Sequence, residues 1–398
     1  MIIGPVLGSG VILLPPLLFN TIGDYALLVW AVISLLGFAF ALVFGRLSIL
    51  YPGDGGVSLA TKAALGKKYQ LLTSFYLIFA VLFGPVAVLL VAAQFLQDFF
   101  VGVDPVFVAL GVYGVTYLML LVRIDFLGKL MLIVTSTITI VFLLSSVITL
   151  LEVDQFTFTL PTLKIGEIGD AFLLAFWALV GWEVIGNYSN DIKDSNTLTK
   201  SVIFSAVMVA IIYLLLGAAI SFGSFDHDNS NDPFKLTWLI EKIFGDYTTI
   251  FLAVISTTLC IGTLILFVGG VARLISSLKL HPYLSKHISS GSPIGALNIL
   301  GLVHLVMLLL VYSKILDISS LVAFANGFFI ANAIIGLVTA IVLFENGFLR
   351  YSAFMLTALF LAILAFSNLV ILAVIIGLFL FVYFKTTKNV KKVGGGIT

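Results

Sequence analysis

Residues 1–19 read MIIGPVLGSGVILLPPLLF, apolar enough to enter a membrane, yet with Gly8-Ser9-Gly10 in the middle and Pro15-Pro16 just behind. Glycine and proline both weaken a helix interior. In hydrocarbon, a broken helix leaves N–H and C=O groups bare, which is tolerated only where they line a cavity or hold a ligand. The stretch therefore predicts one of two things. Either small residues let two helices pack closely, which is common in membranes, or the chain carries a binding site at a break. A counterpart elsewhere in the chain decides between them.

The chain of 398 residues is 61% apolar and 10% charged, against about 25% charged in a soluble domain. Runs of about 20 apolar residues mark spanning helices. Twelve candidates fall at 1–20, 25–51, 69–100, 105–122, 127–151, 168–189, 200–222, 247–278, 295–312, 318–344, 350–366 and 367–384, the last two divided only by Ser367 and Asn368. Unbroken apolar runs exclude a β-barrel, whose strands alternate. The expected fold class is an all-α integral membrane protein with about twelve transmembrane helices. The opening stretch has no basic leader and no small-residue cleavage site, so it reads as retained. The single Cys260 excludes an internal disulfide. The tail KTTKNVKKVGGGIT (385–398) reads as a short, basic, disordered end.

Orientation follows from lysine and arginine. With the N-terminus in the cytoplasm, 16 of the 20 basic residues lie on the cytoplasmic side, and only Lys164, Lys235, Lys242 and Lys314 lie outside. The bias predicts a multi-pass protein of the cell membrane with both termini cytoplasmic. The net charge of +1 gives no reason to expect a nucleic-acid partner.

The break has an echo. Span 6, DAFLLAFWALVGWEVIGNYSND (170–191), is interrupted near Ala178 to Gly181 and then carries Glu183. Spans 3 and 8 are both unusually long, and each follows a short amphipathic stretch. Tyr69 and Tyr247 are 178 positions apart, Gly8 and Gly181 are 173 apart, and the two connecting segments fall on opposite faces. That layout predicts an inverted repeat, with spans 1–5 (1–151) and spans 6–10 (165–344) followed by spans 11 and 12 (350–384) and the tail. Gly-interrupted segments at matching positions point to the substrate site of a secondary transporter. The half-helix starting near Gly10 offers a positive dipole end and free N–H groups to a carboxylate. Unwound carbonyls suit an ammonium group, so the pair suits the backbone of an amino acid.

The motifs also resemble a family. GPVLGSGVILLP, YPGDGGVSLATKAALG, FWALVGWE and VARLISSLKLHPYL resemble, in order and over nearly the whole chain, the helix 1, loop 2–3, helix 6 and helix 8 signatures of the amino acid–polyamine–organocation (APC) superfamily. The wording is most similar to that of bacterial amino-acid efflux carriers. The resemblance implies the leucine-transporter fold, a 5+5 inverted repeat with broken helices 1 and 6, and a pocket between helices 1, 3, 6, 8 and 10. It implies that the Gly8-Ser9-Gly10 break gives N–H groups of Ser9 and Gly10 to a substrate carboxylate. Val6, Trp177 and Val180, beside Gly181, would give carbonyls to the amine. It makes Trp177 an aromatic gate and turns Pro85, Val88 and Leu264 toward the substrate side chain. All three are apolar, which implies a neutral, hydrophobic amino acid. Two departures stand out. After helix 6 the family reads Glu-x-Lys-Asn-Pro, whereas DIKDS supplies Asp191, a candidate for the cytoplasmic gate, and Lys193 but no proline. The mid-helix lysine that replaces sodium in many members is absent from span 5, which has only Lys129 at its start.

Other polar residues leave alternatives open. Glu183 inside a span costs about 2.5–3.5 kcal/mol on insertion scales, so it either carries a coupling proton or bonds the unwound backbone. Ser256, Thr257 and Thr258 form a weak candidate Na⁺ site, since hydroxyls in such helices more often bond their own backbone. Gln94, Asn326 and Asn332 read as interhelical glue, Asn326 being the one to reach the pocket. The four histidines are scattered without metal-ligand spacing, and no nucleophile–base arrangement or phosphate loop appears. No enzyme, metal or cofactor is expected. The reading is an amino-acid transporter working by alternating access, by efflux, antiport or exchange with H⁺ or Na⁺ as candidate coupling ions. A sodium-coupled importer and a non-transporting sensor of the same fold stay open, with an ion channel less favoured because no filter motif is present.

Overall fold

A computed structural model of the chain describes residues 8–158, 162, 164–191, 194–223 and 236–394, with no statement on the side chains of 124–127, 190–191, 195 and 385–394. The described residues are helical and turn with no strand. Apolar runs this long adopt helices because only a helix satisfies its own backbone in hydrocarbon. Among the described residues eight helices are long and apolar enough to cross a membrane. Four shorter apolar helices, Gly10–Ile22, Pro105–Leu120, Phe348–Leu364 and Leu369–Phe384, bring the total to the expected twelve. The protein is thus a multi-pass helical membrane protein.

Burial separates centre from rim. In their most apolar stretches, spans 3 and 6 are 72% buried, whereas spans 5 and 9 are 39% buried. Span 3 (Lys67–Leu96) packs on span 8 (Thr248–Ser277) and span 10 (Ile318–Leu343), and span 2 (Tyr25–Leu50) packs on span 7 (Ser195–Phe222). At the start of span 7 the Asp194 carboxylate accepts from the Thr197 hydroxyl at 2.9 Å and from the Asn196 and Thr197 N–H groups. Those bonds, the hydroxyl first, hold it below the usual carboxylate range.

The amphipathic stretches are helices, Val57–Leu65 before span 3 and Leu236–Phe244 before span 8. Each ends at a glycine with positive φ, Gly66 at +90° and Gly245 at +53°, a backbone region that favours glycine. These two glycines are 179 positions apart, which moves the expected register of 178 by one.

Three expectations change. Pro15 and Pro16 do not break span 1, because they lie inside the helix Gly10–Ile22 and the turn is at Gly8-Ser9. A proline costs its helix one bond and some strain, and neighbouring helices absorb this in a packed bundle. The backbone of span 12 runs as helix to Gly394, so the tail is helical past residue 384, with nothing to stop it before the glycine triplet 394–396. Gln94 is exposed and holds no helices together, whereas Asn332 does, accepting from the Thr73 hydroxyl at 2.7 Å.

Candidate functional site

Span 6 supplies the break. Ile165–Ala175 is α-helical, Phe176–Leu179 tightens into a 3₁₀ turn, Val180 is extended, Gly181 takes φ +124°, and Trp182–Ile185 restarts the helix. A further 3₁₀ turn follows over Gly186–Asp191. Gly181 is the residue for such a φ, since a Cβ there would be strained. Glu183, 1% exposed, turns back and accepts from the Gly181 N–H at 3.0 Å. It therefore satisfies an orphan N–H of the restarted helix, the second of its two expected roles.

Beside the break lies a nearly closed cleft with a cavity of about 10 Å³, room for about one water, lined by Gly84, Pro85, Val88, Trp177, Thr263, Leu264, Phe267 and Phe329. It is smaller than the roughly 300–1,000 Å³ of ordinary small-molecule sites. No charged side chain lines it. The expected residues Pro85, Val88, Trp177 and Leu264 meet here. Trp177 stands edge-on to Phe329 with ring centroids 6.5 Å apart. Gly84, Thr263, Phe267 and Phe329 escaped the sequence reading, though the register from Val88 could have found Phe267. Gly84 and Thr263, Pro85 and Leu264, and Val88 and Phe267 are each 179 positions apart, the spacing of Gly66 and Gly245. Corresponding positions of spans 3 and 8 thus face each other across the cleft.

Span 1 approaches from one end. The Ser9 N–H donates to Thr263 Oγ1 at 3.1 Å. A Cβ on Gly10 would lie 2.7 Å from the Tyr213 hydroxyl and 3.5 Å from Trp177 Cδ1, so only glycine lets these groups meet. Tyr213 stacks on Trp30 at 4.6 Å. Among the described residues the Ser9 hydroxyl, the Tyr213 hydroxyl and Trp30 Nε1 are buried without a hydrogen-bond partner. Native proteins bury such groups at a cost, and here Ser9 and the Tyr213 hydroxyl adjoin Gly10, with Trp30 stacked on Tyr213 beside Gly217. Val6 lies outside the described residues.

Two expected contributors lie elsewhere. Asn326 donates to the Leu173 carbonyl at 3.0 Å, so it braces the first half of span 6 and does not line the cleft. The span 8 hydroxyl that meets span 1 is Thr263, not one of the trio two turns earlier. Thr258 bonds its own backbone at Val254 O, while Ser256 and Thr257 hydroxyls have no partner among the described residues. No group of three or more His, Cys, Asp or Glu that could hold a metal occurs among the described residues.

Beyond the cleft, the far end of span 6 is locked to the loop before span 3. Gly53 N–H donates to Ser189 Oγ at 2.8 Å, and Asn187 Nδ2 donates to the Asp54 carbonyl at 2.9 Å. Arg273 at the end of span 8 lies 3.9 Å from the Asp54 carboxylate and 5.0 Å over the Tyr188 ring. The Tyr188 hydroxyl donates to the Ile265 and Leu266 carbonyls of span 8. These residues sit in motifs quoted above, but no charge run or spacing marked them as partners. The Asp191 side chain and Lys193 lie outside the described residues.

Broken span 6, the facing walls of spans 3 and 8 and the glycine-bearing start of span 1 meet at this one cleft. The structure is similar to the crystal structure of an Eremococcus coleocola manganese transporter mutant, with a TM-score of 0.63 at 13% identity, covering 96% of this chain and 91% of that one. The likeness assigns the leucine-transporter type of fold. The family described as amino acid permease matches residues 1–392. The chain belongs to that family, within the APC superfamily. It is similar to an uncharacterized amino acid permease, YecA, of Bacillus subtilis, 24% identical over 69% of this chain and 66% of that protein. It is also similar to the L-methionine/branched-chain amino acid exporter YjeH of Escherichia coli, 23% identical over 94% of this chain and 92% of that protein.

Proposed function

We propose that the protein carries neutral, apolar amino acids across the cell membrane by alternating access, in the direction of efflux or by exchange. The observation that carries this reading is the cleft at the span 6 break, apolar on every wall and bordered at one end by unpartnered donors around Gly10. An apolar side chain lies against Pro85, Val88 and Leu264 once the walls of the closed cleft part. The carboxylate takes the Gly10 N–H, with the buried Ser9 and Tyr213 hydroxyls adding donors, since the Ser9 N–H is held by Thr263. The amine takes backbone carbonyls at Val6, Trp177 and Val180. A cationic or acidic side chain would be buried in the cleft without a partner, which is costly. The exporter among the relatives supports this substrate class.

Trp177 closes the cleft as a gate. The contacts among Asp54, Tyr188, Ser189 and Arg273 act as a latch at the cytoplasmic end, both termini lying on that side. Residues 1–151 and 165–344 form the two repeats that rock against each other. Glu183 serves the break by holding the Gly181 N–H.

Counterflow in proteoliposomes tests the reading. Vesicles loaded with unlabelled methionine or leucine should accumulate the labelled amino acid, without a requirement for Na⁺. Accumulation only with Na⁺ would replace the reading by a sodium-coupled importer. Binding by thermal shift with no counterflow for any amino acid would replace it by a sensor.

A further inference from the structure

Pro85 sits inside span 3, which runs as one helix from Lys67 to Leu96. Proline has no N–H, so the carbonyl four residues earlier, on Val81, loses its helical partner, and the ring presses that carbonyl outward. Val81 is fully buried, where a bare carbonyl is costly. The partner comes from a different helix. His304 Nε2 of span 9 (Ile294–Tyr312) lies 2.7 Å from the Val81 oxygen. A carbonyl only accepts, so Nε2 carries the proton. The neutral ring then presents Nδ1 as acceptor to the Tyr113 hydroxyl of span 4, 3.0 Å away. Tyr113 also stands edge-on to the imidazole, with centroids 5.4 Å apart. His304 itself is fully buried, so the whole relay is shut off from solvent. Three spans thus meet at one carbonyl, which is one helical turn from the cleft.

We propose that His304 is a positioning residue for substrate binding. Its bond to the carbonyl freed by Pro85 fixes the segment of span 3 whose Gly84, Pro85 and Val88 form one wall of the cleft, and Tyr113 selects the tautomer that makes the bond. The inference rests on the cleft being the amino-acid site. Pro85 links the two halves of the argument, because it both orphans the Val81 carbonyl and lines the cleft. Span 9, which contributes no residue to the lining, thereby braces the helix that forms one wall.

The test is a cycle between Pro85 and His304 in the full-length protein, read by thermal unfolding in detergent and by counterflow of labelled methionine. His304→Leu should lower the unfolding temperature and raise the half-saturating concentration about tenfold, an effect within the range of coupled contacts, with a smaller change in maximal rate. His304→Gln, whose amide N–H₂ reaches the same oxygen, should restore half-saturation to within about threefold. In the Pro85→Ala background residue 85 regains its N–H, so removing His304 should change half-saturation by about twofold or less. An equal cost of His304→Leu in both backgrounds would show that the Val81 bond is not what His304 contributes, and would overturn the proposal. Coupling in stability with unchanged half-saturation and competitor profile would reduce His304 to packing and overturn the positioning role. If the wild type shows no amino-acid counterflow, the substrate reading fails on that result alone. The bond is then decided by ¹⁵N spectra of the histidines: a neutral ring protonated at Nε2 supports it, and protonation at Nδ1 contradicts it.

Discussion

The cleft and the latch are built on the same two helices from opposite materials. At the cleft, span 6 gives Trp177 and span 8 gives Thr263, Leu264 and Phe267, in walls without a charge. Two to three turns further on, the same helices give Tyr188, Ser189 and Arg273 to a polar cluster with Asp54. The contrast separates two tasks. A dry apolar cleft selects by shape and by the penalty on buried charge. The Asp54 and Arg273 side chains are 36% and 16% exposed, and a pair that wet is worth about 0–1 kcal/mol. On the proposed mechanism, an ion pair of that strength can open and close with each cycle. A cleft held that loosely would not discriminate.

Substitutions can break this contrast. The largest effect is expected at Gly10. Gly10→Leu drives a side chain into Tyr213 and Trp177, and should cut substrate binding and counterflow by about 100-fold or more, as ångström-scale misplacement does. Overpacking of this kind costs about 1–3 kcal/mol, so the protein should still fold, as gel filtration in detergent would show. Undiminished binding would remove span 1 from the site. Trp177→Ala tests the proposed gate and should weaken half-saturation by about 10- to 100-fold, or about 1.4–2.8 kcal/mol, with faster release of bound label. Unchanged release would deny Trp177 its gating role.

Leu264→Ala should shift preference toward bulkier apolar side chains by about tenfold, the low end of what a methylene is worth in such a pocket. The competitor profile in counterflow measures it, and a profile identical to wild type would move the selecting wall elsewhere. On the latch side, Arg273→Ala should change exchange rates by only about two- to fivefold, in keeping with a wet ion pair, with half-saturation unaltered. A loss of binding there would erase the division between cleft and latch. Glu183→Gln is the mildest, since the amide oxygen can still accept from Gly181. Counterflow should stay within about twofold of wild type. Transport that loses only its response to a pH gradient would make Glu183 a proton carrier as well.

The helical architecture was legible in the sequence because apolar runs in a membrane have one solution. Pro85, Val88, Trp177 and Leu264 were named from the family resemblance, position by position, and the structure brings them to one cleft. What escaped was contact across the bundle. Thr263 looks like any hydroxyl on a helix until Ser9 is seen to donate to it. Asn326 carries the same polar group whether it faces a cleft or the Leu173 carbonyl. His304 and Val81 are 223 positions apart, and no periodicity links them. Pro15 and Pro16 misled because a proline's cost to a helix depends on neighbours that sequence spacing does not reveal.

The central claim is that the cleft itself receives apolar amino acids. A single cysteine at its wall, Val88→Cys in a Cys260→Ala background, tests this through the rate of labelling by a small membrane-permeant maleimide in proteoliposomes. Methionine or leucine should slow the labelling in proportion to its saturation of counterflow, and lysine and glutamate should leave the rate unchanged. Labelling that no amino acid slows, in a variant that still exchanges methionine, would place the substrate outside this cleft.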